Sequence, residues 1–167
     1  MKYKDLLSLE PDSTGRLQLS QLYMLEQNTP LDVSEQFYCD HGLNSEFQEQ
    51  YGDIVLEDIK WSLEQVDYKL ISNMSVYDDF RPWVETCRVK STRVQNTLNW
   101  KLIGHTETVC EFWKQNKTWF RSPIVLKQNT KYHLVEGHSR FGCLKGLVST
   151  GLISPLVKHL VWFGTVD

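Results

Sequence analysis

The sequence lacks three features that would assign a protein class at once: paired cysteines, long apolar runs and clustered positive charge. Its four cysteines (Cys39, Cys87, Cys110 and Cys143) are far apart and form no C-x-x-C pair. No stretch approaches the ~18 apolar residues of a membrane span, and the N-terminal stretch MKYKDLLSLEPDSTGR lacks the long apolar core of a signal peptide. The net charge is −3 and no run of basic residues occurs, so nothing attracts nucleic acid or anionic lipid. We therefore expect a cytoplasmic protein with reduced thiols, no membrane partner and no nucleic-acid partner.

The composition is that of one folded domain with a more polar N-terminal region. The chain has 167 residues, of which 41% are hydrophobic and 12% aromatic, enough to bury a core. Short helices are predicted at Gln18–Gln27, Asp32–Cys39 and Asn44–Tyr51, separated by turn residues. Because these pieces are too short to make a core of their own, we expect residues 1–52 to form a helical extension packed on a domain of residues 53–167.

The middle of the chain gives weaker signals. An alternating apolar pattern over residues 59–63 predicts a strand. Residues 76–90 contain a proline and fit either a short helix or an extended segment. A helix then begins after Thr106 or Thr108, and Thr108 with Glu111 has the spacing of a capping box.

The last third has the clearest pattern. Apolar strands are predicted at 123–126 and 132–135 around a Gln-Asn-Thr turn, which together make a hairpin. A helix is predicted from Ser139 to a glycine cap at Gly151, and a buried closing strand at Leu156–Phe163. This order of elements is typical of layered α+β or α/β domains.

The segment LVEGHSRFG, residues 134–142, joins the second hairpin strand to that helix and nearly spells the Gly-x-Ser-x-Gly elbow of serine hydrolases. Phe141, however, occupies the place of the second glycine. An elbow is followed by an acid and then a histidine, whereas here His159 precedes Asp167. We therefore set aside Ser139 as a nucleophile.

The same segment fits capture of an anion at a helix N-terminus, where backbone N–H groups have no partner within the helix. Gly137 permits close approach of the backbone to a ligand, and Ser139 could cap the helix or donate to a phosphate oxygen. Arg140 is a cation where the helix dipole favours an anion. Either a bound phosphate or the carboxylate of Glu136 would offset it, and His138 is either a ligand-contacting imidazole or a turn residue.

The stretch RSPIVLKQNTKYHLVEGHSRFGCLKGLVSTGLI, which begins at Arg121, resembles the core of the ParB/sulfiredoxin-like fold. In that fold a Pro-containing strand pairs with a second strand that ends in an acid or small residue, glycine, a polar pair and arginine. A helix whose N-terminus holds nucleotide phosphates follows. Pro123, Gly137 and Arg140 match this pattern, and Gly142 and Gly146 would keep the helix close to the sheet. The resemblance covers residues 119–164 well and residues 54–118 only by order of elements.

The resemblance implies an α+β fold with a small mixed sheet and packed helices. It also implies ATP or another nucleotide as ligand, with Mg²⁺ as a candidate co-ligand. Gly137, Ser139 and Arg140 would hold phosphate oxygens. Arg121 is either a second clamp or, as the better prediction, a solvated arginine of the loop before the strand. Glu136 and His138 would be the catalytic pair, His138 donating or moving a proton and Glu136 orienting it or holding Mg²⁺ through water. We predict no metal ligated by the protein alone, since His133, His138 and Cys143 are loosely spaced for zinc.

The sequence differs from the family at two points, and each difference makes one of the family's known functions unexpected here. Sulfiredoxins place a catalytic cysteine directly after the glycine, where this chain has His138, so reductase chemistry is not expected. Partition ParB proteins carry a helix–turn–helix DNA reader after this core, and this sequence has none. The turn is closest to that of ParB-like free-serine kinases, which have an acid-Gly-His-x-Arg type turn at the nucleotide.

Two classes of function stay open from the sequence. The first is a small phosphotransferase or NTPase, which works mainly by positioning and electrostatic stabilisation. The second is a non-catalytic module that senses a nucleotide or binds a protein partner through residues 1–52. A second carboxylate near the phosphates would favour the enzyme; the candidates are Glu57, Asp58, Asp78 and Asp79. Trp113, Trp119 and Phe120 could stack on a base, but core packing is the better prediction for them.

Overall fold

A computed structural model describes residues 1–25, 28–92 and 97–166, and it is an α+β structure of helices packed with one small mixed sheet. The helices are α1 (Leu19–Leu25), α2 (Leu31–Val33), α3 (Ser45–Tyr51), α4 (Tyr68–Ser72), α5 (Arg81–Ser91), α6 (Thr97–Lys101), α7 (Glu107–Asn116) and α8 (His138–Ser149). A π-helical turn, Ser34–Cys39, continues α2, and 3₁₀ turns occupy Tyr3–Ser8, Leu56–Asp58 and Asp78–Phe80. Within these residues no helix is both long and apolar enough to cross a bilayer.

The four strands lie in the order β1-β4-β2-β3, where the strands are β1 (Lys60–Val66), β2 (Ile124–Gln128), β3 (Lys131–Glu136) and β4 (His159–Thr165). β2 and β3 form the predicted antiparallel hairpin. Its turn contains Asn129 with φ +54°, a left-handed conformation that asparagine tolerates better than most residues. Beyond β3, Ser75 forms an isolated parallel bridge with His133.

Contacts divide the chain into two compact units, residues 1–62 with 164–166 and residues 63–163. The predicted domain boundary after residue 52 stays a prediction. The predicted helix Gln18–Gln27 is present as α1 up to residue 25, and residues 26–27 lie outside the described part of the chain.

The first unit has an aromatic core, which differs from the expectation that its short pieces could not form one. The Tyr3 ring stacks on Phe37 with centroids 4.8 Å apart and meets Tyr51 edge-on at 6.2 Å. Phe47 and Tyr38 complete the group, and all five side chains are at most 5% exposed. Helices too short to be stable alone are held here by large aromatic contacts between distant parts of the chain.

The second unit is built on the hairpin, α5 and α8. Its core contains Val125 and Leu134 from the strands, Leu144 from α8, and the fully buried indoles of Trp100 and Trp113. Trp119 is also buried, which confirms the prediction of core packing for both Trp113 and Trp119; Phe120 is 59% exposed, so that prediction is wrong for Phe120.

Helix α8 packs against α5, and two glycines of α8 allow the backbones of the two helices to approach closely. A Cβ at Gly142 would lie 2.4 Å from the Val84 carbonyl oxygen, and one at Gly146 would lie 2.3 Å from that of Arg88. The expectation that these glycines bring the helix close to the sheet is therefore corrected: their shared face is turned to α5. Residues four apart lie on one side of a helix, and missing side chains there allow two backbones to approach.

Two boundaries follow from capping chemistry. Residues 76–90 are the turn Asp78–Phe80 followed by α5, and Pro82 stands in the first turn of α5, where its missing N–H costs nothing. Of the two candidate caps for α7, Thr106 is the one used: its Oγ1 accepts from Val109 N at 3.3 Å. Thr108 lies inside the helix, so the capping-box interpretation was wrong.

Candidate functional site

The turn between β3 and α8 is built around a left-handed glycine. Gly137 has φ +102° and is the N-terminal cap residue of α8, whose first helical residue is His138. A Cβ at this position would lie 2.6 Å from the Cβ of Pro123 and 3.2 Å from the guanidinium nitrogens Nε and Nη2 of Arg140. The glycine is therefore required both by backbone conformation and by its closely packed neighbours.

A bulge directs the end of β3 into this turn. Val125 pairs with Leu134, but the preceding residue of β2, Ile124, pairs with Glu136, so Val135 is an extra residue on β3. Bulges of this kind bend a strand and change where its side chains point. Glu136 consequently reaches the first turn of α8.

Arg140 ties the turn to the chain ahead of β2. Its Nη1 donates to the carbonyl oxygen of Arg121 at 2.8 Å, and its Nη2 donates to Oε1 of Glu136 at 3.1 Å. The two side chains of this ion pair are 15% and 23% exposed. In the structure, then, the carboxylate of Glu136 offsets the cation that the helix dipole disfavours. Arg121 therefore lies at the site, and it contacts Arg140 through its backbone carbonyl oxygen.

Ser139 does not cap the helix, which corrects one of its two predicted roles. Because α8 begins one residue earlier than predicted, Ser139 lies within the first turn. Its Oγ accepts a hydrogen bond from the indole N–H of Trp83 on α5, at 2.9 Å. The same hydroxyl lies beside the thiol of Cys87, whose pKa is raised by burial to about 11 although the Ser139 contact acts in the opposite direction.

His138 is 8% exposed, and its ring centroid lies 4.4 Å from that of Phe80. The 3₁₀ turn that ends at Phe80 also contains Asp78 and Asp79, so two of the four candidate second carboxylates are in the chain segment that contacts His138. Asp78 forms an ion pair with Arg81 at 2.9 Å. The other two, Glu57 and Asp58, belong to the other compact unit.

A cavity of about 360 Å³ lies beside the first turns of α8. Phe141 and Lys145 line it from α8, and Arg81 and Val84 line it from α5. Because Phe141 and Lys145 follow His138 by three and seven residues, all three share one face of the helix. The Lys145 ammonium lies 5.3 Å from the centroid of the Phe141 ring.

Sequence reasoning missed Trp83, the exposed aromatic residue that contacts the turn. It is 39% exposed, whereas Trp113 and Trp119 are in the core. Pro82 is a signal for the start of a helix and could have placed Trp83 in a first helical turn. Residues 76–90, however, fitted both a helix and an extended segment. Without a secondary structure for the segment, the direction of the Trp83 side chain could not be predicted.

The cysteines of this unit are buried. Cys143 is fully buried, burial raises the pKa of its thiol, and its Sγ lies 3.8 Å from Nε2 of His105. Among the residues that the structure describes, no group of three or more His, Cys, Asp or Glu side chains is arranged to hold a metal ion.

Comparison with protein-family models, with curated proteins and with solved structures found no match to this chain.

Proposed function

We propose that this chain is a ParB-like nucleotide-binding domain whose phosphate site is the first turn of α8. The observation that carries the proposal is the arrangement of that turn. A strand ends at Glu136, a left-handed glycine follows, and Arg140 and Ser139 stand in the first turn of a twelve-residue helix. Helix N-termini with this connection are suited to anions because the backbone N–H groups and the dipole act together.

In this proposal a phosphate and Glu136 compete for the same guanidinium. Arg140 is anchored by the carbonyl oxygen of Arg121, so it stays in place when its carboxylate partner changes. The Glu136 side chain is 23% exposed, which gives it solvent into which it can turn. Guanidinium groups bind phosphate through paired hydrogen bonds in the geometry that they use for carboxylates.

The nucleoside would occupy the cavity along α8. Its volume of about 360 Å³ is within the range of small-molecule sites. The Phe141 ring offers an apolar surface, and Lys145 adds positive charge at its wall. The other charged lining residues are already paired, Arg81 with Asp78 and Glu85 with Arg88. Trp83 supports the phosphate end by holding the Ser139 hydroxyl at 2.9 Å.

The burial of His138 favours the sensing form of this function over the catalytic form. A phosphotransferase or NTPase would use His138 and Glu136 on the substrate, with Mg²⁺ held through water as the co-ligand. His138 is only 8% exposed and rests against Phe80, and Glu136 is neutralised by Arg140. The second candidate, an enzyme, requires both side chains to turn toward the nucleotide.

Thermal unfolding with ATP, ADP, CTP and GTP, each with and without Mg²⁺, tests the proposal. A ligand that binds only the folded state raises the melting temperature in proportion to ln(1+[L]/Kd). At least one nucleotide should stabilise the wild type. Glu136→Gln should increase the response, because removing one negative charge next to the phosphates tightens binding by roughly fivefold or more. Arg140→Ala should abolish it, and Arg140→Lys should retain part of it.

The matched control is Glu111→Gln, which removes one carboxylate from the exposed Glu111–Lys114 pair on α7 and should leave the response unchanged. Unfolding without nucleotide reports whether each variant folds. If no nucleotide stabilises the wild type, or if Glu136→Gln weakens the response of a folded protein, the proposed site is wrong. Analysis of the nucleotide products distinguishes the sensing form from the catalytic form. Nucleotide turnover by the wild type that is lost in Glu136→Gln would identify an enzyme.

A further inference from the structure

A second cavity lies away from α8, between the α4 segment and the β2–β3 turn. Its volume is about 470 Å³, within the range of small-molecule sites. Lys69, Leu70 and Asn73 line one side, and Thr130, Lys131 and Tyr132 line the other. None of the residues of the proposed phosphate site contributes to it.

The cavity has a surplus of positive charge. Lys69 and Lys131 stand on its two sides, and neither forms an ion pair within the described residues. The acidic lining residue, Asp67, is already used: it accepts from Leu70 N at 3.1 Å and lies 3.6 Å from the ammonium of Lys158. The hydrogen bond from Leu70 N and the charges of Lys158 and Lys69 all lower the pKa of Asp67, while Lys131 adds a second lysine to the lining. An anion in the cavity would offset the remaining positive charge.

The base of the cavity is apolar and fixed in place. Tyr132 is half-buried, and its ring packs edge-on against Phe163 with centroids 5.6 Å apart. Leu70, also half-buried, extends this surface. Lys127, the cross-strand partner of Tyr132, places its ammonium 5.7 Å from the ring centroid and adds a third cation near the ring. A bare inorganic anion would contact the lysines and leave this apolar surface in water.

Polar groups are available at the rim. Thr130 is exposed in the hairpin turn, and its hydroxyl has no hydrogen-bond partner among the described residues. Asn73 donates one N–H to the carbonyl oxygen of Lys69 at 2.7 Å, and a carboxamide has a second N–H to offer. Hydroxyl and amide donors beside ammonium groups are the groups that bind phosphate or carboxylate oxygens.

From this combination we infer that the cavity binds a small organic anion in which one phosphate or carboxylate is attached to a flat ring. The ring lies on Tyr132 and Leu70, and the anionic group lies between Lys69 and Lys131. Binding here does not depend on the phosphate site of α8.

NMR titration of the ¹⁵N-labelled full chain tests the inference. Phenyl phosphate and benzoate distinguish the two anionic groups, inorganic phosphate tests the anion alone, and benzyl alcohol tests the ring alone. Phenyl phosphate, benzoate or both should shift the amides of Asn73, Thr130 and Lys131, and should do so at lower concentration than inorganic phosphate or benzyl alcohol. Shifts confined to residues 137–140 would place the ligand at the α8 site and overturn the inference.

The double variant Lys69→Gln/Lys131→Gln should weaken binding of the ring anion by about tenfold. Both side chains are exposed, so the variant should unfold at a temperature close to that of wild type. Lys101→Gln, which removes an exposed lysine on α6, is the matched control and should bind as wild type does. Equal affinity of the double variant and wild type, or equal affinity for phenyl phosphate and inorganic phosphate, would overturn the inference.

Discussion

The indole N–H of Trp83 donates to the hydroxyl of Ser139 across the contact between α5 and α8. The two residues are 56 positions apart in the chain, and their bond closes the α5–α8 interface at the end where α8 begins. The interface thus has two parts, a close backbone contact at Gly142 and Gly146 and a polar contact at the first turn.

A double-mutant cycle should detect the Trp83–Ser139 bond. Trp83→Phe removes the donor and Ser139→Ala the acceptor, and each should lower the free energy of unfolding. Because the bond is partly exposed, the coupling between the two changes should be about 0.5–1 kcal/mol. Urea unfolding of the four proteins measures it, and a coupling of zero would mean that the bond contributes nothing in solution.

Gly137→Ala should destabilise the protein more than an alanine at another left-handed glycine. The left-handed backbone alone costs roughly 1–2 kcal/mol for alanine, and the contact with Pro123 at 2.6 Å adds about 1–3 kcal/mol of overpacking. Gly151→Ala is the control, because Gly151 has φ +73° and no atom within 4 Å of an added Cβ. Equal losses in the two variants, measured by urea unfolding, would show that packing at Gly137 is unimportant.

The hairpin and α8 could be predicted from sequence because their signals are local. Two short apolar strands, an Asn-Thr turn, a glycine before the helix and Gly151 after it are all signals within a few residues of the elements they mark. The structure confirms the hairpin and helix, shifting the start of α8 to His138 and the closing strand to His159–Thr165. The closing strand was predicted to begin at Leu156, but Leu156 is 83% exposed and lies outside β4.

Features that depend on distant partners could not be derived in the same way. Gly142 and Gly146 indicated a close helix contact, but no local signal says whether the neighbour is the sheet or α5. The aromatic core around Tyr3 joins the start of the chain to Phe37 and Tyr51, so the shortness of each helix was a poor guide. The sequence left two alternatives for the partner of Arg140, the carboxylate of Glu136 and a bound phosphate. A spacing of four residues permits the Glu136–Arg140 ion pair that the structure shows, but it does not exclude a phosphate.

The α5–α8 contact predicts a strong effect of single methyl groups. Gly142→Ala and Gly146→Ala should each lower the free energy of unfolding by about 1–3 kcal/mol, because the new Cβ would overlap backbone atoms that cannot move aside cheaply. Alanine otherwise favours a helix over glycine by about 1 kcal/mol, so the packing cost must exceed that gain. Ser149→Ala, at an exposed position of the same helix, should be nearly neutral. Stabilisation by either glycine change would contradict the observed packing.

His159 should make the protein less stable in mild acid. It is 1% exposed, burial lowers its pKa to about 4, and its Nδ1 lies 2.8 Å from Oγ1 of Thr118. An unfolded chain protonates this histidine below about pH 6.5, whereas the folded chain does so only near pH 4. Between these values the unfolded state binds more protons, so the free energy of unfolding falls as the pH falls.

The loss due to His159 should approach about 3 kcal/mol near pH 4, at 1.36 kcal/mol per unit of pKa difference. His105 and His133, whose pKa values burial also lowers, contribute in the same direction. His159→Asn, whose carboxamide can keep a hydrogen bond to Thr118, should therefore reduce the pH dependence of stability between pH 4 and 6.5 without abolishing it. Urea unfolding of both proteins across this range measures the difference. If the slope is the same in both, His159 is protonated as easily in the folded chain as in the unfolded one, and its burial has no consequence for stability in acid.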